Sequence, residues 1–176
     1  MKKLLSLLFV ALLFLTACGS RWQVEVDLMP EEKTEIYQEI NELKEKIASY
    51  EGDGFLNLET IMLARAYKSL GELGKAINVY KDSIADGNKT KTIIHNLGRL
   101  YESVGEYDLA IEQYQQLIDE YNDLNYLLDI TWALIRDKQR KEAEKYFNVW
   151  QLEFQTTDEA VQQAIKNLRA NEKSNS

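Results

Sequence analysis

Ile94-His95-Asn96-Leu97-Gly98-Arg99-Leu100-Tyr101, followed after Gly105-Glu106 by Ala110 and Tyr114, is the stretch that decides the fold. Ile94, Leu97 and Gly98 stand at i, i+3 and i+4, the spacing of one helical face. Ala110, Tyr114 and Leu117-Ile118 form a second face beyond the glycine, so the stretch reads as two helices joined at a turn. The arrangement recurs on both sides. Tyr67, Gly71, Ala76 and Tyr80 lie 34 residues upstream, and Leu134, Lys138, Ala143 and Phe147 lie 33 residues downstream. Thr60-Leu63-Ala64 and Leu127-Ile130-Thr131 repeat the first face; Ala76, Tyr80 and Ser83-Ile84, then Ala143, Phe147 and Trp150, repeat the second. The units are therefore helical hairpins, joined at Gly71-Glu72, Gly105-Glu106 and Lys138-Gln139. Ala64, Gly98, Ala76, Ala110 and Ala143 are short enough for two helices to approach, and Tyr67, Tyr101 and Tyr80 fill the space beside them.

Ile94-x2-Leu97-Gly98-x2-Tyr101 with Ala110-x3-Tyr114 resembles the tetratricopeptide repeat, whose pattern is W-x2-L-G-x2-Y, then A-x3-F, then P. The resemblance covers about residues 57–157. Thr60, Ile94 and Leu127 replace the first Trp, Asn88, Asn122 and Gln155 replace the closing Pro, and Lys138 replaces the third turn Gly. The resemblance implies an all-α protein, a right-handed α-solenoid of about three hairpins spanning 57–90, 91–123 and 124–157, with a capping helix at each end. Three repeats are near the minimum for a stable stack, and its ends need polar-faced caps.

For the N-terminal cap, residues 30–50 open on Pro30 and carry the apolar stripe Ile36, Ile40, Leu43, Ile47 and Tyr50 among Glu and Lys. That 4-3-4-3 spacing also suits a short dimerisation seam, which leaves a self-associating structural protein as an alternative. For the C-terminal cap, residues 158–170 place Val161, Ala164, Ile165 and Leu168 on one face, with Thr156 and Glu159 at capping-box spacing; 171–176 read as a fraying polar tail. Ahead of the first cap, 18–29 alternate Trp22, Val24, Val26 and Leu28 with Gln23, Glu25 and Asp27, the period of an extended tether. Such a tether acts as a spacer, docks along a groove, or pairs with a sheet edge of a partner.

The chain begins with Lys2-Lys3, an apolar run from Leu4 to Leu15, and Leu15-Thr16-Ala17-Cys18. A basic n-region, a short apolar h-region and small residues before the cut make an export signal over residues 1–17. Leu15-Thr16-Ala17-Cys18 is similar to the lipobox of bacterial lipoproteins, which implies a diacylglycerol on the Cys18 thiol, cleavage in front of it and further acylation, such as palmitate. The implied address is the bacterial cell membrane or outer membrane, facing the periplasm or the exterior. Formal net charge is -8, more negative still once Lys2 and Lys3 leave with the signal, so nucleic acid is not an expected partner and membrane contact comes through the lipid. Two acyl chains hold a protein stably where one holds it marginally. Cys18 is the one cysteine, so the fold rests on packing without a disulfide.

Catalytic and metal-binding constellations are missing from the pattern. His95 is the single histidine and lies on a helix without a nucleophile motif around it. Glu51-Gly52-Asp53-Gly54 is too short for a calcium loop. No cofactor or metal is expected, and an enzyme or small-ligand binder is the weakest alternative. The resemblance instead implies a concave groove lined by the first helix of each hairpin. Its positions fall on Leu58, Ile61, Arg65, Lys68 and Ser69, then Thr92, His95, Arg99, Glu102 and Ser103, then Asn125, Leu128, Trp132, Ile135 and Arg136. Arg65, Lys68, His95, Arg99, Trp132 and Arg136 are the candidate protein-binding residues, because an acidic protein that gathers Arg beside Trp has the composition of binding hot spots. The expected partners are envelope proteins or peptides bearing an acidic segment, and the expected role is an adaptor that scaffolds or assembles an envelope complex.

Overall fold

The computed structural model describes residues 22–52 and 56–174. The export signal and Cys18 lie outside that range. Among the described residues the regular structure is helical: α1 (Pro30–Ala48), α2 (Asn57–Ser69), α3 (Leu73–Ala85), α4 (Lys91–Ser103), α5 (Tyr107–Tyr121), α6 (Tyr126–Arg136), α7 (Arg140–Phe154) and α8 (Glu159–Ser174). The chain is all-α, and its helices pair as hairpins. They group into two compact units that divide between Lys89 and Thr90.

In the first unit, Pro30 occupies the opening turn of α1, where its missing N–H is not needed, and the Met29 N–H donates to Glu32 at 2.8 Å. The stripe on α1 faces α2, against which the helix packs. Ile40 and Leu43 are buried, while Ile36 and Ile47 are half-buried. The apolar seam is thus used within the chain, as a cap. Thr60, Leu63, Ala64 and Tyr67 of α2 meet Ala76, Ile77 and Tyr80 of α3 to form the core of the first hairpin.

The second unit holds two hairpins, α4–α5 and α6–α7, and the closing helix α8. Each helix packs on its neighbour in the chain, and α8 touches both α6 and α7. Ile94, Leu97, Ala110, Tyr114, Leu117, Ile130, Thr131, Ala143, Phe147 and Val161 are nearly without exposure. Thr131 satisfies its buried hydroxyl by donating to the Leu127 carbonyl at 2.7 Å. At Gly98 the two helices of a hairpin leave no room for a side chain. A Cβ there would stand 2.7 Å from Cε1 of the buried Tyr114.

All three hairpin turns share one hydrogen-bond pattern. Gly71 N–H donates to the Lys68 carbonyl and Glu72 N–H to the Tyr67 carbonyl, both at 2.9 Å. Gly105 and Glu106 repeat this with Glu102 and Tyr101, and Lys138 and Gln139 with Ile135 and Leu134. This is the Schellman cap, which satisfies the last carbonyls of a helix and needs a left-handed residue. Gly71, Gly105 and Lys138 have φ of 73°, 76° and 61°. The missing third glycine therefore leaves the turn itself unchanged.

The absent closing prolines have a physical reason. Asn122 and Gln155 end α5 and α7 with φ of 50° and 49°, a conformation that proline, locked near -65°, does not reach. After α3 the left-handed residue is Gly87, and Asn88 follows it with its N–H on the Ser83 carbonyl and its side-chain amide on Ser83 Oγ.

Two expectations at the C-terminal end need correction. Asp158, not Thr156, caps α8, accepting the Val161 N–H at 3.0 Å, while Thr157 Oγ1 accepts from Gln151 and Gln162. The helix also continues through the expected polar tail to Ser174, because Arg140 holds Glu172 at 2.8 Å. Glu144 joins Arg140 at 2.8 Å and Arg169 at 2.6 Å, so four charges tie α8 to α7.

Candidate functional site

In the first unit, Arg65 and Lys68 lie on α2 and are exposed. Neither makes an ion pair among the described residues. Arg65 borders a shallow depression of about 280 Å³ beside Ile36, Glu39 and Met62. Elsewhere in this unit a cavity of about 480 Å³ runs past Ile47, Leu63 and Tyr67, and Lys44 and Lys75 each place an ammonium group 5.5 Å from the Tyr67 ring centroid.

The second unit brings the other four candidates into one neighbourhood. Helices α4 and α6 are the first helices of successive hairpins, and His95 and Glu102 of α4 reach Asp129 and Arg136 of α6. His95 sits between two tyrosines, 5.8 Å from Tyr114 and 5.3 Å from Tyr126 by ring centroids, with Nε2 3.9 Å from Asp129. Tyr114 and Tyr126 are parallel at 6.4 Å. One turn further along α4, Arg99 is exposed and without an ion pair among the described residues. Trp132 is half-buried beneath Arg136, whose guanidinium carbon stands 5.8 Å from a Trp132 ring centroid.

Glu102 is the residue that the expectation of a basic stripe did not weigh. Arg136 donates to its carboxylate Oε2, and the Tyr114 hydroxyl donates to Oε1 at 3.0 Å. Burial pushes the Glu102 carboxyl above the usual glutamate range, while Arg136 and the Tyr114 hydrogen bond pull the other way. Tyr114 is itself held protonated by burial and by the neighbouring carboxylate. Of the arginines here, Arg136 is thus engaged within the protein and Arg99 faces solvent. The site is an alternation of charges on an aromatic floor: Arg99, Glu102 and Arg136 beside Trp132, and His95 with Asp129. A signal for Glu102 was available, since it shares the groove stripe at i+7 from His95, but its pairing depends on which rotamer reaches across to α6.

The geometry suits recognition of a polypeptide, with hydrogen-bonding charges set around aromatic faces. Among the described residues no group of three or more His, Cys, Asp or Glu is placed to hold a metal ion, and no helix is long and apolar enough to cross a membrane.

Comparison with known proteins fits this architecture. Residues 60–92 and 93–125 each match the family described as the tetratricopeptide repeat. No match was found among curated proteins or solved structures. The matched segments take in most of α2–α3 and of α4–α5, so these two hairpins, with their shared small contacts and Schellman turns, are similar to tetratricopeptide repeats, a likeness that supports a role in protein–protein interaction.

Proposed function

We propose that this protein is a lipid-anchored adaptor of the bacterial envelope, held to a membrane by acyl chains on Cys18 and binding other envelope proteins through the first helices of its repeats. The observation that carries the binding half is the neighbourhood of Arg99, Glu102, Trp132 and Arg136, where an exposed guanidinium and a half-buried indole flank an internal ion pair. A partner carboxylate that meets Arg99 also competes with Glu102 for Arg136, and an apolar side chain beside it covers Trp132. Arg65 and Lys68 occupy the corresponding positions of the first repeat in the family pattern. The anchoring half rests on Leu15-Thr16-Ala17-Cys18 behind the basic and apolar leader. The burial of Ile40 and Leu43 against α2 favours the adaptor over a dimer built on the α1 seam.

The two halves are tested separately. Cys18→Ser abolishes uptake of labelled palmitate and leaves a precursor that keeps its leader; equal labelling of both chains refutes the anchor. For binding, a photo-crosslinking side chain at Ser103 in the membrane-bound protein captures a partner whose recovery falls when Arg99 is reversed to glutamate in the same chain. Helical content and melting stay unchanged, because Arg99 is exposed and makes no ion pair among the described residues. Undiminished capture by the Arg99→Glu variant refutes this neighbourhood as the binding surface.

A further inference from the structure

The extended segment ahead of α1 docks on its own chain. Val24 donates its N–H to the Gly71 carbonyl at 2.9 Å, and Gln23 pairs with Glu72 as an antiparallel bridge. Gly71 is what makes the approach possible. A Cβ there would fall on the Val24 carbonyl oxygen and stand 3.4 Å from Val26 Cγ1, whereas a Cβ on Gly105 meets nothing within 4 Å. Trp22, Val26 and Leu28 are half-buried along the segment while Val24 is exposed, so the alternation expected of a spacer is partly spent on contact. The receiving turn is braced as well. The Tyr37 hydroxyl on α1 donates to Glu72 Oε1 at 3.1 Å, and Lys75 pairs with Glu72 Oε2 at 3.0 Å.

We propose that residues 22–28 are a strap that seats on the Gly71–Glu72 turn and fixes which end of the first unit faces the bilayer. The proposal rests on the Cys18 anchor proposed above. Chain length turns docking into orientation. From Cys18 to the paired Gln23 the backbone reaches at most about 18 Å, whereas an undocked segment from Cys18 to Pro30 reaches about 40 Å when fully extended. With the strap seated, the first-hairpin turn stays close to the headgroups; released, the same segment is a loose leash. Pairing by main-chain groups suits this task because it constrains position without requiring a deep pocket. The second turn, with its bare glycine, has no such occupant among the described residues.

The test uses the full lipidated chain in phosphatidylcholine vesicles. Hydrogen exchange reads the strap, and energy transfer from a dye on Ser69→Cys to a headgroup acceptor reads the orientation, the native thiol being occupied by lipid. The Val24 amide exchanges about tenfold or more slowly than an unstructured amide. Val24→Pro, which removes the donor without touching the helices, and Gly71→Ala, which blocks the seat, both lower the energy transfer, while Gly105→Ala leaves it at the wild-type level. Exchange of Val24 at the unstructured rate, or equal transfer in all four chains, overturns the proposal. A Cys18 that carries no lipid by mass spectrometry overturns the anchor and the orientation together, and protection of Val24 in that same chain then reports the strap by itself.

Discussion

Gly71 and Gly105 occupy the same place in successive hairpins, with φ of 73° and 76° and matching Schellman hydrogen bonds, yet they are glycine for different reasons. Gly105 answers a backbone requirement alone, since a side chain there would point into open space. Gly71 answers two, because its missing Cβ leaves room for the Val24 carbonyl. Lys138 in the third turn shows that the conformational requirement is soft, and Gly98 inside α4 shows the opposite case, ordinary helical backbone with no room for a side chain. Four equivalent-looking choices thus separate into conformation, approach and packing.

Mutations at these positions sharpen the separation. Gly98→Val drives a branched side chain into Tyr114, which is fully buried and tied to Glu102, and lowers stability by about 3 kcal/mol in denaturant unfolding. An unchanged midpoint would mean that α4 and α5 do not meet as described. Gly71→Ala costs about 2 kcal/mol, roughly half from the left-handed backbone and half from the displaced strap, against about 1 kcal/mol for Gly105→Ala. Equal losses at the two turns would erase the contrast between them. Lys138→Gly runs in the other direction and stabilises by about 1 kcal/mol, since glycine takes the left-handed cap without strain; a loss instead would show that the Lys138 side chain contributes more than its backbone costs.

The smallest effect is a pH dependence at Glu102. Its folded pKa is raised, chiefly by burial, so its contribution favours the folded state below the unfolded glutamate pKa and is lost as pH rises through the folded value. Compared with Glu102→Gln, the wild-type chain therefore gains relative stability as pH falls from neutrality toward the ordinary carboxylate range. A difference that stays flat with pH would place Glu102 in water rather than under Tyr114 and Arg136.

The hairpins, their core faces and their turns were legible in the sequence because each depends on local spacing. Thr60, Leu63 and Tyr67, or Ala110 and Tyr114, announce a buried face wherever the chain puts them. What escaped depends on reach between distant residues. The pairing of Arg136 with Glu102 is set by two long side chains meeting across α4 and α6, and no period in the sequence records it. Val24 on Gly71 is a main-chain contact across 47 positions, invisible to side-chain pattern. The expected polar tail misled for a similar reason: Asn171 to Ser174 look like a frayed end until Arg140 is known to stand beside Glu172. Asp158 and Thr156 are both good caps by composition, and only the placement of the first α8 turn chooses between them.

Lys138 also bears on how modules are counted. A left-handed lysine costs on the order of 1 kcal/mol, which the packing of α6 on α7 readily offsets. Recognition by sequence works differently, because it reads residue identities and gives no credit for a turn that closes with the wrong one. The matched segments end at residue 125, just ahead of the hairpin that makes its turn with Lys138. The hairpins that close with this turn are therefore three, one more than the matched segments cover.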